Sequence, residues 1–342
     1  MKLGLALEWA GAKIAVPVAR VQLAEKLGFD SVWSAEAYGS DAFTPLAFLA
    51  AHTQRIRLGT AVAQLAARTP AATAMAAQTL EGLAGRGRVV LGLGVSGPQI
   101  VEGWYGQPWG RPARRVRDTV AILRKIFARE APVRHEGAEI SLPYTGPGAR
   151  GLGKPLRSIL HGRADLPIYL AAIGPKNVAL AAEIADGWIP VFFSPRRMPM
   201  FRAWLAEGFR ATGGAAAKPH FDIMPSTAVV VGDDVAACRA TVKSNLALYV
   251  GGMGARGKNF YNELARRYGY EEAAIKVQDL YLAGRKGEAE AAVPDALVDE
   301  VALCGPRDAI RERLAEWKSS GITTLMLRGD LAAIRTVAEL VL

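Results

Sequence analysis

A chain of 342 residues, 51% hydrophobic and 22% charged, has the usage of an ordinary globular protein, which excludes intrinsic disorder as its governing state. The length exceeds the roughly 250 residues of a bare eightfold α/β barrel and leaves open one barrel with insertions or two domains. Of the formal charge of +10, residues 101–165 contribute +6 through 12 Lys/Arg against 6 Asp/Glu; this points to an anionic ligand or to solvated surface charge, and without interleaved aromatics it does not point to nucleic acid.

Met1 to Glu8 reaches an acid too early for a signal-peptide core, and no 18 apolar residues run together, so a cytoplasmic protein without a membrane segment is expected. Short apolar runs then alternate with amphipathic stretches. Lys2–Leu7 predicts a strand, Val16–Leu27 a helix, Ser31–Ser34 a strand and Pro45–His52 a helix. Arg57–Val62 gives a third strand, Pro70–Leu83 a helix opened by proline, and Arg88–Leu93 a fourth strand. The rhythm pauses over Gly97–Pro112, a basic helix at Ala113–Arg129, a hairpin at His135–Leu142 and a Gly/Pro-rich loop at Pro143–Pro155. It resumes with strands at Pro167–Ala171 and Gly187–Phe192, each followed by a helix, and a strand at Ser226–Val231. A helical insertion over about 233–294 precedes a helix at Pro306–Ser319, strand Thr323–Arg328 and a closing helix from Asp330. About eight strands, each with its helix, predict an α/β barrel.

Gly92-Leu93-Gly94-Val95-Ser96-Gly97 matches the glycine spacing of a dinucleotide fingerprint, with Asp118 placed where that fold keeps its acid. The strand is the fourth rather than the first, and Pro98, Gly103, Gly106, Pro108 and Gly110 delay the helix, so a glycine-rich turn at the carboxyl end of a barrel strand is the better reading. Ile173-Gly174-Pro175-Lys176-Asn177 opens a helix with unpaired N–H groups, an arrangement that binds phosphate or simply turns the chain. His52, His135, His161 and His220 are scattered, so neither a metal site nor a hydrolase is indicated. Cys238 and Cys304, far apart and without Cys-x-x-Cys spacing, read as structural thiols. Glu8 and Glu36 follow strands one and two and are the candidate catalytic carboxylates, or else salt-bridged surface groups.

These residues resemble the luciferase-like hydride transferases and monooxygenases, particularly the actinobacterial branch dependent on coenzyme F-420. The likeness runs along almost the whole chain. It is carried by Gly28-Phe29-Asp30-Ser31-Val32-Trp33, Arg57-Leu58-Gly59-Thr60-Ala61-Val62, Gly92 to Pro98, Gly103-Trp104-Tyr105-Gly106, Gly174 to Asn177 and Ala185-Asp186-Gly187-Trp188. The resemblance implies a single (β/α)8 TIM barrel domain over 1–342, with insertions at about 97–165 and 233–294. It implies a cis peptide at Ala61-Val62 against the back of the coenzyme ring, and the backbone of Val95, Ser96 and Gly97 along the ring and ribityl chain. It also implies Gly174, Pro175, Lys176 and Asn177 at the coenzyme phosphate, and Glu36 as a coenzyme-contacting acid. The histidine of some members is Ala37 here, and the glutamate of the sugar-phosphate-oxidising members is Gly97, which argues against glucose-6-phosphate oxidation. The implied activity is hydride transfer between coenzyme F-420 and a small-molecule substrate, in a homodimer, with the basic segment 101–165 available to a polyglutamate tail. An FMN-dependent monooxygenase and a non-catalytic flavin- or deazaflavin-binding protein are the alternatives.

Overall fold

The computed structural model describes residues 1–8 and 12–342. Eight parallel strands form the frame: β1 (Lys2–Ala6), β2 (Ser31–Ser34), β3 (Arg57–Thr60), β4 (Val89–Gly94), β5 (Ile168–Ala171), β6 (Gly187–Ile189), β7 (Ser226–Val231) and β8 (Thr324–Arg328). Each pairs with the next in sequence as far as β6, and β8 pairs with both β7 and β1. Closure runs through one segment. Asp222–Ile223 pairs with β6, Met224 N–H donates to Trp188 O at 2.9 Å, and Met326 N–H donates to Pro225 O at 2.9 Å, carrying the ladder on to β8. The chain is thus a closed (β/α)8 barrel.

The strands are apolar on both faces, as a parallel sheet covered on both sides requires. Leu3, Leu5, Leu58, Leu91 and Leu325 join the outer core beneath the helices, while Ala6, Trp33, Val90, Tyr169, Ile189, Met224 and Met326 fill the interior. Trp33 takes much of that interior, and its neighbours are correspondingly small. A Cβ on Gly4 would meet Trp33 Nε1 at 2.9 Å, and one on Gly59 would overlap the indole ring. Large against small is how a packed interior reaches its density. Beneath it Asp222 accepts from the Tyr169 hydroxyl at 2.7 Å and the Thr324 hydroxyl at 3.0 Å, and Arg57 pairs with Asp30. That polar plug satisfies the groups buried at the strands' amino ends.

The outer ring comprises α1 (Val18–Lys26), α2 (Thr44–Ala50), α3 (Pro70–Ala84), α4 (Pro112–Ala128), α5 (Pro175–Ile184), α6 (Met198–Arg210), α7 (Val235–Ala247), α8 (Arg307–Ser319) and α9 (Leu331–Val341). Thr69 caps α3 by accepting from Ala72 N–H at 3.2 Å, with proline at the first helical position. In α4 the stripe Val116, Val120, Leu123 and Phe127 is buried, a 3.6-residue period.

The structure corrects several boundaries. The third and sixth strands end at Thr60 and Ile189, the latter because Pro190 cannot continue a ladder. The segment after α7 runs on through helices at Phe260–Arg267, Glu271–Leu282, Lys286–Ala291 and Asp295–Val301 to an unforeseen strand, Leu303–Gly305, which pairs with β7 outside the barrel. Three residues are too few to leave a periodic signal. Asp118, the acid of the rejected dinucleotide reading, anchors the hairpin instead: its Oδ2 accepts the N–H groups of Glu139 and Ile140 at 2.7 and 3.0 Å. Burial alone would raise its pKa, but those two bonds and His135 hold it below the usual carboxylate range. Among the described residues, no helix is long and apolar enough to cross a membrane.

Candidate active site

The carboxyl ends of β3 and β4 are locked together by a side chain that serves both. Thr60 Oγ1 donates to Gly92 O at 2.7 Å and accepts from Gly92 N–H at 2.9 Å. Beyond Thr60 the Ala61-Val62 peptide is cis. Its flanks are fixed from β2: Ala61 N–H donates to Ser34 O at 2.7 Å and Glu36 N–H to Val62 O at 3.2 Å. The chain then lies alongside the end of β4, pairing Ala63 with Leu93 and Gln64 with Gly94. This close approach explains two glycines of the fingerprint-like run. A Cβ on Gly92 would overlap the Thr60 carbonyl oxygen, and one on Gly94 would meet Val62 Cγ2 at 2.6 Å.

Glu36 is buried, 8% exposed, and fully engaged. Its carboxylate takes Arg68 in a two-pronged pair at 2.7 and 2.8 Å and accepts Gln64 N–H at 2.9 Å, while Gln64 Nε2 donates to Glu36 O at 3.1 Å. Bidentate geometry of this kind fixes orientation as well as energy. Arg68 also lies 3.8 Å from Asp41 and over the Phe43 ring, 5.1 Å from its centroid. The bond to Glu36 raises the Arg68 pKa. Gln64 and Arg68 were invisible as site residues in the sequence; the signal available was one polar side chain, Gln64, inside the otherwise apolar run Ala61–Ala67 and the arginine that ends it. Glu8, by contrast, is exposed just past β1.

Could this wall hold a flat ring? Gln64 shares the inward face of Gly94 by register, and its Oε1 is buried without a hydrogen-bond partner among the described residues. A buried acceptor without a donor costs free energy, so a ligand N–H is the natural complement. Val95 follows, 37% exposed although apolar, then the half-buried Ser96 and Gly97. Across β5, Gly174 at φ +80° turns the chain into α5, which begins with Pro175 and has no side-chain cap. Lys176 and Asn177 in its first turn are exposed. Uncapped first-turn N–H groups and the helix dipole favour an anion here. Ring-sized wall, unpaired acceptor and anion-binding helix end stand on three neighbouring strands and fit a deazaflavin or flavin phosphate.

Beside them, the insertion covers the end of β6. Phe192 adopts φ +46°, its ring meets Tyr249 and Tyr261 edge-on at 5.4 and 6.0 Å, and Tyr268 donates its hydroxyl to Phe192 O at 2.8 Å. Two clefts of about 270 and 390 Å³ lie elsewhere, along the outer wall beside α6, and belong to neither set of strand ends. Part of the basic segment is paired: Arg111 with Glu139, Arg117 with Glu183, Arg124 with Asp186 and Arg163 with Glu81 and Asp165. Cys238 and Cys304 meet, with the Cys304 thiol 3.7 Å from Cys238 O, and burial pushes that thiol up to about 11. Among the described residues, no three His, Cys, Asp or Glu side chains gather as metal ligands.

Residues 5–324 match the family model of luciferase-like monooxygenases. A Mycobacterium tuberculosis protein with the provisional name coenzyme F-420-dependent oxidoreductase is 50% identical over 344 residues, covering 100% of this chain and 99% of its own. A 5,10-methylenetetrahydromethanopterin reductase of Archaeoglobus fulgidus is 28% identical over 90% of this chain and 87% of its own. Among solved structures, the coenzyme F-420-dependent tetrahydromethanopterin reductase of Methanopyrus kandleri superposes with a TM-score of 0.79 at 22% identity, over 99% of this chain and 97% of that one. That last likeness speaks to the fold.

Proposed function

The chain belongs to the luciferase-like monooxygenase family and is an oxidoreductase, and we propose that it transfers a hydride between coenzyme F-420 and an organic substrate. The observation that carries the reading is the inward wall of Gly94 and Gln64, with its unpartnered acceptor, set beside an uncapped helix end. In this reading Ala61 and Val62 back the ring, Val95, Ser96 and Gly97 follow the ribityl chain, and Gly174, Pro175, Lys176 and Asn177 receive the phosphate. When bound, the deazaflavin supplies the hydride-carrying carbon, and the protein supplies orientation and electrostatics. Glu36 acts as a positioning residue: its carboxylate is spent on Arg68 and Gln64, which hold residues 61–64 in place. Glu8, exposed at the same end of the barrel, remains the candidate for handling a proton.

Titration of the full-length protein with oxidised coenzyme F-420 and, separately, FMN tests this. Micromolar or tighter binding of the deazaflavin, with FMN at least about tenfold weaker, and turnover of an added substrate are expected. Preference for FMN would move the protein to the oxygen-activating branch. Tight binding without turnover of any substrate would make it a carrier, and binding of neither would sink the reading.

We further propose a cytoplasmic homodimer built on α2 and α3. Neither helix exposes a charge; Glu81, the one charged residue in the two, is buried. Phe48, Met75 and Leu83 on this face are 50%, 62% and 64% exposed. An uncharged, apolar outer face on a chain of net charge +10 is what a self-complementary interface needs. Light scattering behind a sizing column is expected to give a dimer for the native chain and a monomer for the Met75→Glu, Leu83→Glu double variant. A native monomer at micromolar concentration would refute this arrangement.

A further inference from the structure

The interior residues of β8 alternate with its outer ones. Leu325 and Leu327 join the outer core and Met326 the interior cluster, so the period of two places Arg328 on the interior side, one step above Met326 at the strand's carboxyl end. Its ladder partner is Ala228, half-buried and too small to fill the space beside it. Arg328 is half-buried. Nη1 donates to Asn245 Oδ1 at 3.2 Å, whereas Nε is buried with no partner among the described residues. Among the described residues, no carboxylate lies within ion-pair distance of Arg328. Several arginines in the barrel are matched by carboxylates, Arg57 with Asp30, Arg68 with Glu36 and Arg197 with Glu300, and the buried Arg88 is met by the Thr53, Ile56 and Ala84 carbonyls and the Thr53 hydroxyl.

A guanidinium partly withdrawn from water and left without an anion is costly, and its planar fork suits a carboxylate. Its location matters equally. Around the barrel β8 stands opposite β4, so Arg328 faces the wall of Gly94 and Gln64 across the mouth rather than belonging to it. Asn245, its side-chain partner, comes from α7, and Tyr249 follows four residues on, half-buried and edge-on to Phe192. Cation, amide and aromatic therefore adjoin on the side of the mouth left for substrate.

We propose that Arg328 and Asn245 form the receptor for a carboxylate of the substrate, whose apolar body lies toward Tyr249 and Phe192. This rests on the reading of the strands' carboxyl face as the active site, and it names the substrate class: an organic acid rather than a neutral alcohol or ketone. Arg328 would bind both charged ends of the reaction alike, since the carboxylate does not take part in the hydride step.

The test is calorimetric titration of the full-length chain, with and without coenzyme F-420, using benzoate and hexanoate against their neutral amides as probes. The native chain is expected to prefer each acid over its amide by about tenfold or more. Arg328→Gln should erase that preference, Arg328→Lys should keep part of it, and the coenzyme affinity should be unchanged in both. Circular dichroism establishes that the variants fold; if Arg328→Gln does not, Asn245→Ala takes its place and should reduce the preference. Equal binding of acid and amide by the native chain, binding of neither, or an acid preference that survives in Arg328→Gln would each overturn the proposal. Failure of the coenzyme to bind would count against the functional reading alone, because the acid preference is also read without it.

Discussion

Replacing Gly92 with alanine is expected to cost about 3 kcal/mol or more, at the upper end of overpacking effects. The added Cβ would overlap the carbonyl oxygen of Thr60, a backbone atom that cannot swing aside as a side-chain tip can. Relief would require β3 to move off β4, which breaks both Thr60 hydroxyl bonds at once. The melting temperature should fall by roughly 4 °C or more, and because Thr60 leads directly into Ala61 and Val62, coenzyme affinity should fall with it. Gly287→Ala provides the control. Gly287 lies within the helix Lys286–Ala291, its added Cβ would meet nothing within 4 Å, and the change should be neutral or stabilising by about 0.5–1 kcal/mol. A Gly92→Ala protein that melts with the native chain and binds coenzyme as tightly would remove the close approach of β3 and β4 from the account of the site.

That contrast also marks what the sequence could disclose. The order of strands and helices was legible because strands buried on both faces appear as unbroken apolar runs such as Val89–Leu93. Gly92 and Gly94 were legible as a turn at a strand's carboxyl end, but not the reason for them, because the atoms they avoid belong to residues about 30 positions earlier. The same distance hid Gln64 and Arg68: their partner is Glu36, 28 and 32 residues away, and no local pattern announces such a pair. Charge counting is blind to the same distance: within 101–165, Arg117 and Arg124 are met by Glu183 and Asp186 more than 60 residues on. Arg328 was within reach, since the alternation Thr324, Met326, Arg328 puts a cation on an interior face, but only closure of the barrel shows that, among the described residues, an amide and no carboxylate meets it.

Arg68→Met should destabilise the protein by about 2–4 kcal/mol and weaken coenzyme binding at least about tenfold. Methionine keeps the length and apolar contact over Phe43 but removes the counter-charge of Glu36, whose side chain is only 4% exposed. One backbone N–H, from Gln64, then remains for a buried carboxylate. The estimate lies below the full cost of an orphaned buried charge because Arg68 itself is 22% exposed and water can reach the gap. Glu36→Gln in the same chain should recover about 1–3 kcal/mol by removing the stranded charge. The native network should hold over a wide pH range. Arg68, raised by its bond to Glu36, stays charged at any working pH, so no loss is expected on the alkaline side. Asp41 sits below its ordinary 3.8: burial pushes it up, but the N–H groups of Thr44 and Phe43 outweigh this, so its contribution is present above 3.8 and is lost only as pH falls through its lower folded value. Thermal melts across that range, paired with coenzyme titrations of both variants, separate the two roles of the pair. If Arg68→Met loses stability but binds coenzyme normally, the pair is scaffolding alone; if neither quantity changes, Glu36 is free to be the proton-handling residue after all.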